Sequence, residues 1–479
     1  MRNLANFSLF LFTVLIFGSC SKNYDPNIVR GSTYLLKTGH PQVRATAIGL
    51  FDQNGNPGIN VTADIVYGSL IYKTIQGTHV AHINTTIQVI NKKSKNSQGV
   101  TKSYNFTITK KNKDITHSDN IFIFQKRIPV EPGDYTVHVV VTDNNSKKQT
   151  VRTINTLIPN PNSNEVNLTN VQLSAIGVDN IYPPAYFPVT TYDVPSQYDT
   201  LKFQFQVLKP SSINQLNVNM KLIRFQSDTL PARKIFATNP TPTTLRYQGI
   251  DYKNTKVVQT QNRIITPVEK GSILIQYQTV RPKRGNYRFE VTLSGKDISK
   301  NKLYKAREFS VKSEDYPNVK TAYELAAPLY YLMDKKHYRK LMSIHNTDSL
   351  KNATNNFWMS KIGNKSIAQK VSNLYYQRVV EANKQFSNYK EGWKTDPGMV
   401  YILFGPPWYV DRSLDQMEWS YGHDHYDPNW SYSFTEYRIP NRFYPFHNYI
   451  LRRRNNYFNV NYRIVKHWLS GAVLTQELY

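Results

Sequence analysis

Cysteine and long hydrophobic runs are scarce in this sequence. The 479 residues contain one cysteine, Cys20, so the chain can form no internal disulfide and no zinc site with several cysteine ligands. A transmembrane helix needs about 20 apolar residues, whereas the apolar run at residues 7–17 is shorter and contains two hydroxyl side chains. The sequence therefore excludes disulfide-stabilised scaffolds and predicts no membrane-spanning helix.

Acidic residues are also few. The chain has 33 aspartates and glutamates against 60 lysines and arginines, which gives a formal net charge of +27 at pH 7. Such a positive field attracts anionic partners, which include nucleic acid, acidic glycans, anionic lipid headgroups and acidic proteins. Hydrophobic residues make up 40% of the chain, enough for packed interiors, and the length suggests about three domains.

The N-terminus resembles a bacterial lipoprotein signal peptide. Arg2 supplies positive charge, residues 7–17 have the length of a signal-peptide core, and two small residues precede Cys20. The resemblance implies a signal peptide at residues 1–19, lipid attachment to Cys20 and a tether at residues 20–30. An ordinary signal peptide that happens to contain a cysteine is the alternative.

Lipidation changes the expected partners. An anchored lipoprotein would lie on the cell outer membrane, where we expect no nucleic acid partner but contacts with anionic lipid or glycan. Acidic residues directly after the lipidated cysteine direct lipoproteins of one large bacterial group to the cell surface. Of residues 21–25 only Asp25 is acidic, which favours the periplasmic face.

Residues 31–158 and 166–312 are predicted to form two tandem all-β sandwiches. Both contain short runs of alternating apolar and polar residues, separated by turns rich in Gly, Pro and Asn. Residues 132–139 and 284–291 are alike, because in each a turn leads into a tyrosine and then strict alternation. This arrangement resembles the penultimate hairpin of immunoglobulin-like sandwiches.

The pattern changes at residues 318–479, where we predict an α+β module with helices packed on a small antiparallel sheet. Residues 319–345 have helical spacing, and the clearest helix covers residues 366–386, where Ser366 and Gln369 would form a capping box. Further elements are predicted as strands at residues 417–421 and 430–434 and as a helix at residues 457–469.

Residues 389–408 form the densest local pattern of the chain, YKEGWKTDPGMVYILFGPPW. Asp396, Pro397 and Gly398 are predicted to form a tight turn, since proline suits its second position and glycine its third. The apolar residues 399–404 are predicted to form a buried strand, which the following Gly-Pro-Pro ends because proline cannot continue a central ladder.

The pentapeptide GWKTD, followed by PGMVYILFGPP, resembles the GWxTD domain, a bacterial module named for this pentapeptide. The upstream Phe357-Trp358 and the segment MEWSY match in the same order, so the resemblance covers roughly residues 318–470. It implies an envelope-associated module preceded by β-sandwich regions, and it implies no particular reaction. The family usually has a basic residue where Pro397 stands and often an acidic one where Trp408 stands.

Seven residues of this stretch form the candidate site, with a structural role favoured and a binding role open. Trp393 is predicted to anchor the core, Asp396 to start the turn and Thr395 to satisfy nearby backbone groups. No nucleophile–base pair or zinc-binding helix motif lies near them, so no catalytic residue is assigned. The seven residues are Gly392, Trp393, Thr395, Asp396, Gly398, Gly405 and Pro406.

Two further features carry weaker hypotheses. His423, His425 and Asp427 are spaced to share one face of a strand and could ligate a divalent ion, although a polar hairpin loop is favoured and no cofactor is predicted. The basic runs, which include residues 452–454, are interpreted as solvated loops or strand ends, with an anionic docking surface as the alternative.

Three functions are compatible with the sequence. The favoured one is a binding or scaffold subunit of an envelope assembly, export or secretion complex, with a membrane protein such as a β-barrel as its partner. The alternatives are a glycan-binding module that uses exposed tyrosine and tryptophan, and a carbohydrate or peptide hydrolase that uses carboxylates of the C-terminal module. We favour the non-enzymatic class because no coherent catalytic set is present.

Overall fold

The computed structural model describes residues 40–93, 99–111, 120–163, 165–177, 186–209, 215–266, 271–295, 303–413, 415–424, 427–436 and 448–475. They form three consecutive units, which we call sandwich 1, sandwich 2 and the C-terminal module, each built around an apolar core. No helix in the described ranges has the length and apolar character needed to span a membrane. The predictions made for Cys20 and the rest of the N-terminus lie outside these ranges.

Sandwich 1 consists of eight strands in two antiparallel sheets. One sheet has the order β1-β2-β6; in the other, β4 pairs with β3, β5 and β7, and β8 pairs with β7. Alternate residues of the central strands, such as Val137, Val139 and Val141, are fully buried between the sheets. The strands are β1 (Val43–Phe51), β2 (Pro57–Val66), β3 (Lys73–Ile75), β4 (Thr78–Asn91), β5 (Val100–Lys110), β6 (Ile121–Pro129), β7 (Gly133–Asp143) and β8 (Gln149–Ile158).

Sandwich 2 has nine strands in the same kind of arrangement. One sheet has the order β11-β10-β12-β15, with β9 also on β12, and the facing sheet has the order β14-β13-β16-β17. The strands are β9 (Asn167–Leu168), β10 (Gln172–Gly177), β11 (Phe187–Pro188), β12 (Tyr198–Lys209), β13 (Leu216–Ser227), β14 (Ile250–Ile265), β15 (Gly271–Val280), β16 (Gly285–Ser294) and β17 (Leu303–Val311).

The internal similarity seen in the sequence has the same structure in both sandwiches. Tyr135 begins the inward-facing pattern of β7 and donates a hydrogen bond from its hydroxyl to the carbonyl of Glu131, at 2.7 Å. Tyr287 does the same in β16 with the carbonyl of Lys283, at 2.5 Å. A tyrosine bonded to the backbone a few residues upstream is a hallmark of immunoglobulin-like sandwiches, and the predicted fold is confirmed.

The C-terminal module packs six helices on a four-stranded antiparallel sheet of order β18-β19-β20-β21, as predicted. Large aromatic side chains, among them Trp419, Tyr432 and Trp468, fill the space between the helices and the sheet. The helices are α1 (Ala322–Ala326), α2 (Lys335–Met342), α3 (Thr347–Ile362), α4 (Lys365–Phe386), α5 (Asp396–Phe404) and α6 (Tyr457–Ser470). The strands are β18 (Tyr409–Arg412), β19 (Gln416–Ser420), β20 (Ser431–Glu436) and β21 (Tyr449–Leu451).

The strand predicted at residues 399–404 is wrong, because these residues belong to helix α5. The helix is buried on almost every side, so its sequence is apolar throughout and lacks the period that marks a surface helix. Asp396 and Pro397 are its first two residues rather than part of the predicted tight turn, and proline suits this position because its missing N–H needs no partner there.

The capping box predicted for α4 is also wrong. Asn364, which precedes the helix, caps it by accepting a hydrogen bond from the Ile367 backbone N–H at 3.1 Å. Ser366 therefore lies inside the first turn, and its spacing from Gln369 has no capping role.

Candidate functional site

The segment that connects α4 to α5, residues 387–395, lies between the C-terminal module and sandwich 2. The Ser387 hydroxyl donates to the Asp193 carboxylate at 2.7 Å, and the Asn388 carbonyl accepts from the Lys312 ammonium at 2.7 Å. The Tyr389 carbonyl accepts from the Asn286 side chain, at 2.9 Å. We call residues 387–395 the connecting segment, and we call its contacts with sandwich 2 the joint between the two units.

The two charged residues next in the segment also bond to sandwich 2. Lys390 forms a 2.9 Å ion pair with Asp228 and donates to the Leu230 carbonyl at 3.1 Å. Glu391 pairs with Arg284 of sandwich 2 and, at 2.7 Å, with Lys394 of the segment itself. Burial, Arg284 and Lys390 lower the pKa of Lys394, whereas Glu391 favours its charged form.

Gly392 and Gly398 are required by close packing. A Cβ on Gly392 would lie 1.9 Å from the Ala382 carbonyl oxygen of α4, and a Cβ on Gly398 would lie 1.9 Å from the Gly392 carbonyl oxygen. Thr395 links the same turn, since its hydroxyl donates to the Gly392 carbonyl at 2.7 Å and accepts from the Gly398 N–H at 3.1 Å. Three motif residues thus form one compact turn at the start of α5.

Trp393 is buried in the core of the C-terminal module, as the sequence predicts. Its backbone N–H donates to the Asn383 side chain at 3.1 Å, and its carbonyl accepts from the Tyr331 hydroxyl at 2.8 Å. The Tyr331 ring stands edge-on at 6.2 Å. Both the side chain and the backbone of Trp393 are therefore fixed by neighbours.

Asp396 forms a buried two-point ion pair with Arg453, which the sequence did not indicate. Both carboxylate–guanidinium contacts are 2.9 Å long, and Asp396 also accepts from the Leu451 N–H at 2.8 Å. The Arg453 guanidinium donates further to the carbonyls of Arg233 and Lys234 in sandwich 2. Asp396 therefore links three segments of the chain and does not form a turn. The solvated role predicted for residues 452–454 is wrong for Arg453.

Sandwich 2 supplies part of the core of the C-terminal module. The connection between β13 and β14 places Ala232 and Ile235 in the same apolar cluster as the helices. Lys234 from this connection also donates to the Met333 carbonyl. The two units consequently share one interior.

Gly405 and Pro406 end α5. Gly405 has a φ of +86°, where a side chain would be strained, and its carbonyl accepts from the Tyr421 hydroxyl at 2.9 Å. Arg378 donates to the last carbonyls of the helix, those of Ile402 and Leu403. Pro406 is exposed on the surface.

The proposed metal ligands have other contacts where the structure describes them. The His423 ring lies edge-on to Trp408 at 5.0 Å, and Asp427 accepts a hydrogen bond from the Asn429 N–H at 2.9 Å, as in a turn. His425 lies outside the described ranges. Within those ranges no three histidine, cysteine or acidic side chains converge as a metal site would require.

A basic cavity of about 800 Å³ lies beside the connecting segment. Sandwich 2 provides most of its wall, and Tyr389, Lys390 and Glu391 provide the rest. Sequence analysis missed it because its residues come from widely separated parts of the chain. Lys394 and Asp396 do not line it, so the two most polar motif side chains face other parts of the protein.

Comparisons with known proteins support the sequence resemblance. Residues 297–470 match the GWxTD domain, a range that includes β17 of sandwich 2. No curated protein matches the chain. Two solved structures are distantly similar: red sea bream transglutaminase (10% identity, 58% of this chain, 32% of that chain, TM-score 0.19) and elastase-activated Escherichia coli alpha-2-macroglobulin (12%, 57%, 23%, 0.16). The chain thus spans less than a third of either protein.

Proposed function

This chain contains a GWxTD domain, and on that premise we propose that it is a binding or scaffold subunit of a cell-envelope assembly, export or secretion complex. The supporting observation is that the polar groups of the motif, and of Glu391 directly before it, are used within the protein. Thr395 closes a turn, Asp396 holds Arg453, and Glu391 holds Arg284 and Lys394. A general acid or base must reach a proton of its substrate, and these groups are bonded to the fold instead.

The proposal places the protein on the outer membrane, anchored by a lipid on Cys20 and facing the periplasm. Its support is the signal-like N-terminus, with the only cysteine of the chain after two small residues. In a Cys20→Ala variant the membrane fraction should lose the protein or hold an unprocessed form. Normal cleavage with retained membrane binding would contradict lipid attachment.

Exposed aromatic residues of the C-terminal module support a protein partner. On α6, Phe458 and Tyr462 are 61% and 66% exposed. Aromatic residues are enriched at protein interfaces because they bury a large area at low entropic cost. These two side chains offer a docking face on the surface of the domain.

The test is purification of tagged full-length chain from detergent-solubilised membranes. We expect a membrane protein to co-purify in stoichiometric amount and to be lost in a Phe458→Ala/Tyr462→Ala variant. Tyr323→Ala is the control, since Tyr323 is 55% exposed on α1. A monodisperse chain without a partner, bound instead to a glycan, would contradict the proposal and favour a glycan-binding module.

A further inference from the structure

The basic cavity has the size of a small-molecule site. Its volume of about 800 Å³ lies within the range of roughly 300–1,000 Å³ typical of ligand pockets. It opens where β13, β16 and the start of β14 meet the connecting segment. A ligand in it would therefore touch sandwich 2 and the residues directly before the motif.

The lining of the cavity is strongly positive. Seven cationic side chains line it against one carboxylate, that of Glu391. No single stretch of sequence supplies this excess, because the cations come from five separate stretches of the chain. The seven are Arg224, Arg246, Lys253, Lys256, Arg284, Lys312 and Lys390.

Three of the lining cations already have acidic partners. Lys312 is 3.4 Å from Asp193, Lys390 is paired with Asp228, and Arg284 with Glu391. These pairs hold the joint together and neutralise three of the seven lining cations. The other four lining cations are the source of the excess charge.

Three of the other lining cations, Arg224, Arg246 and Lys256, have no carboxylate partner among the described residues. Arg224 donates to the Arg284 carbonyl at 2.8 Å, which is a neutral acceptor. Arg246 donates to the Tyr247 hydroxyl at 3.3 Å, and its guanidinium carbon lies 5.0 Å from the centre of the Tyr247 ring. A cation–π contact of this kind orients the guanidinium without neutralising it.

We propose that this cavity binds a ligand with two or more phosphate-type oxyanions, of the size of a phosphorylated headgroup or sugar. A single carboxylate would neutralise only one of the three unpaired cations. Phosphate groups carry more charge, and they accept paired hydrogen bonds from the guanidinium fork as well as a contact from a lysine ammonium. This inference is independent of the scaffold role, since it concerns a small ligand and a different surface.

The primary test uses inorganic pyrophosphate, titrated calorimetrically into the full-length chain at fixed ionic strength. The cavity variant is Arg246→Glu/Lys256→Glu, and the control is Arg339→Glu/Lys102→Glu, which makes the same charge change at exposed positions elsewhere. We expect pyrophosphate to bind the wild type and the control alike and the cavity variant at least about tenfold more weakly, since each charge-assisted bond is worth roughly a factor of ten. Equal weakening in both variants, or no binding to the wild type, would overturn the proposal.

Vesicles distinguish a lipid source from a soluble one. If the ligand is a lipid headgroup, vesicles of phosphatidylcholine and phosphatidic acid should bind the wild type but not the cavity variant. If the ligand is soluble, the wild type and the cavity variant should bind these vesicles equally, while the cavity variant should still bind pyrophosphate more weakly. If charge reversal lowers the melting temperature without ligand, Arg246→Gln/Lys256→Gln replaces it, and an unchanged pyrophosphate affinity in that variant also overturns the proposal.

Discussion

The carboxylate of Asp396 meets the guanidinium of Arg453 through two contacts of 2.9 Å, 57 residues apart in sequence. The carboxylate belongs to the first residue of α5, and the guanidinium follows β21 and reaches back to two carbonyls of sandwich 2. The last residue of the GWxTD pentapeptide therefore joins a helix, the end of a sheet and the preceding sandwich. This geometry is that of a structural joint.

Trp393→Ala should behave as a core truncation. Removing a buried tryptophan costs about 3–5 kcal/mol, because the apolar contacts are lost and a cavity remains. Trp408→Ala is the matched control, since Trp408 is 40% exposed, and it should cost much less. Urea unfolding followed by tryptophan fluorescence reports on the C-terminal module alone, because all six tryptophans lie between residues 358 and 468. Equal stability of the two variants would contradict the core role.

Gly392→Ala should destabilise the same module. The added methyl would lie 1.9 Å from a backbone oxygen of α4, so the connecting segment must move away. Overpacking of this kind costs about 1–3 kcal/mol or more. In Gly422→Ala, the control, the nearest atom to the new methyl is 3.4 Å away, and fluorescence-detected unfolding should show little change. A Gly392→Ala variant as stable as this control would show that the close approach is unimportant.

Ile235→Ala tests whether sandwich 2 completes the core of the C-terminal module. Ile235 is fully buried there, and truncation of such a residue costs about 2–5 kcal/mol. Hydrogen exchange should therefore show weaker protection of α5 amides, although the substitution lies in another unit. Leu230→Ala, in the same connection but 53% exposed, should leave this protection unchanged. Unchanged protection in Ile235→Ala would argue for independent domains.

Asp64 should make the contact between the two sandwiches depend on pH. Its carboxylate in β2 accepts from the Thr190 hydroxyl of sandwich 2, and burial raises its pKa to about 6. A carboxyl whose pKa is raised on folding binds its proton more tightly in the folded chain, so stability falls as pH rises from about 4 through 6. The free energy of unfolding should fall by an amount that approaches about 3 kcal/mol above pH 6.

Calorimetric unfolding of the wild type and Asp64→Asn at pH 4.5 and 7.5 measures this contribution. The stability of the wild type relative to the variant should be lower at pH 7.5 than at pH 4.5, because the variant has no titrating group at this position. A constant stability difference between the two proteins would contradict the raised pKa.

The sequence predicted the parts of this fold that have a local signature. Alternation revealed the sandwiches, and the paired turn–tyrosine segments led to Tyr135 and Tyr287, whose hydroxyls make the same bond. Helix α5 was mistaken for a strand because complete burial removes the helical period. The partner of Asp396 and the basic cavity were not foreseen, since both are assembled from residues far apart in the chain.

The most direct test of the structural role of the motif is the unfolding free energy of Asp396→Asn in the full-length chain. Loss of the carboxylate charge leaves Arg453 buried without its counter-ion, and breaking a buried pair in this way costs about 3–5 kcal/mol. Asp411→Asn, at an exposed position of β18, should change stability by less than about 0.5 kcal/mol. Tryptophan-detected urea unfolding is predicted to show the large loss for Asp396→Asn only. The contrary result is an Asp396→Asn protein that is as stable as the wild type but cannot complement a deletion strain. It would contradict the structural role of Asp396 and indicate a catalytic carboxylate.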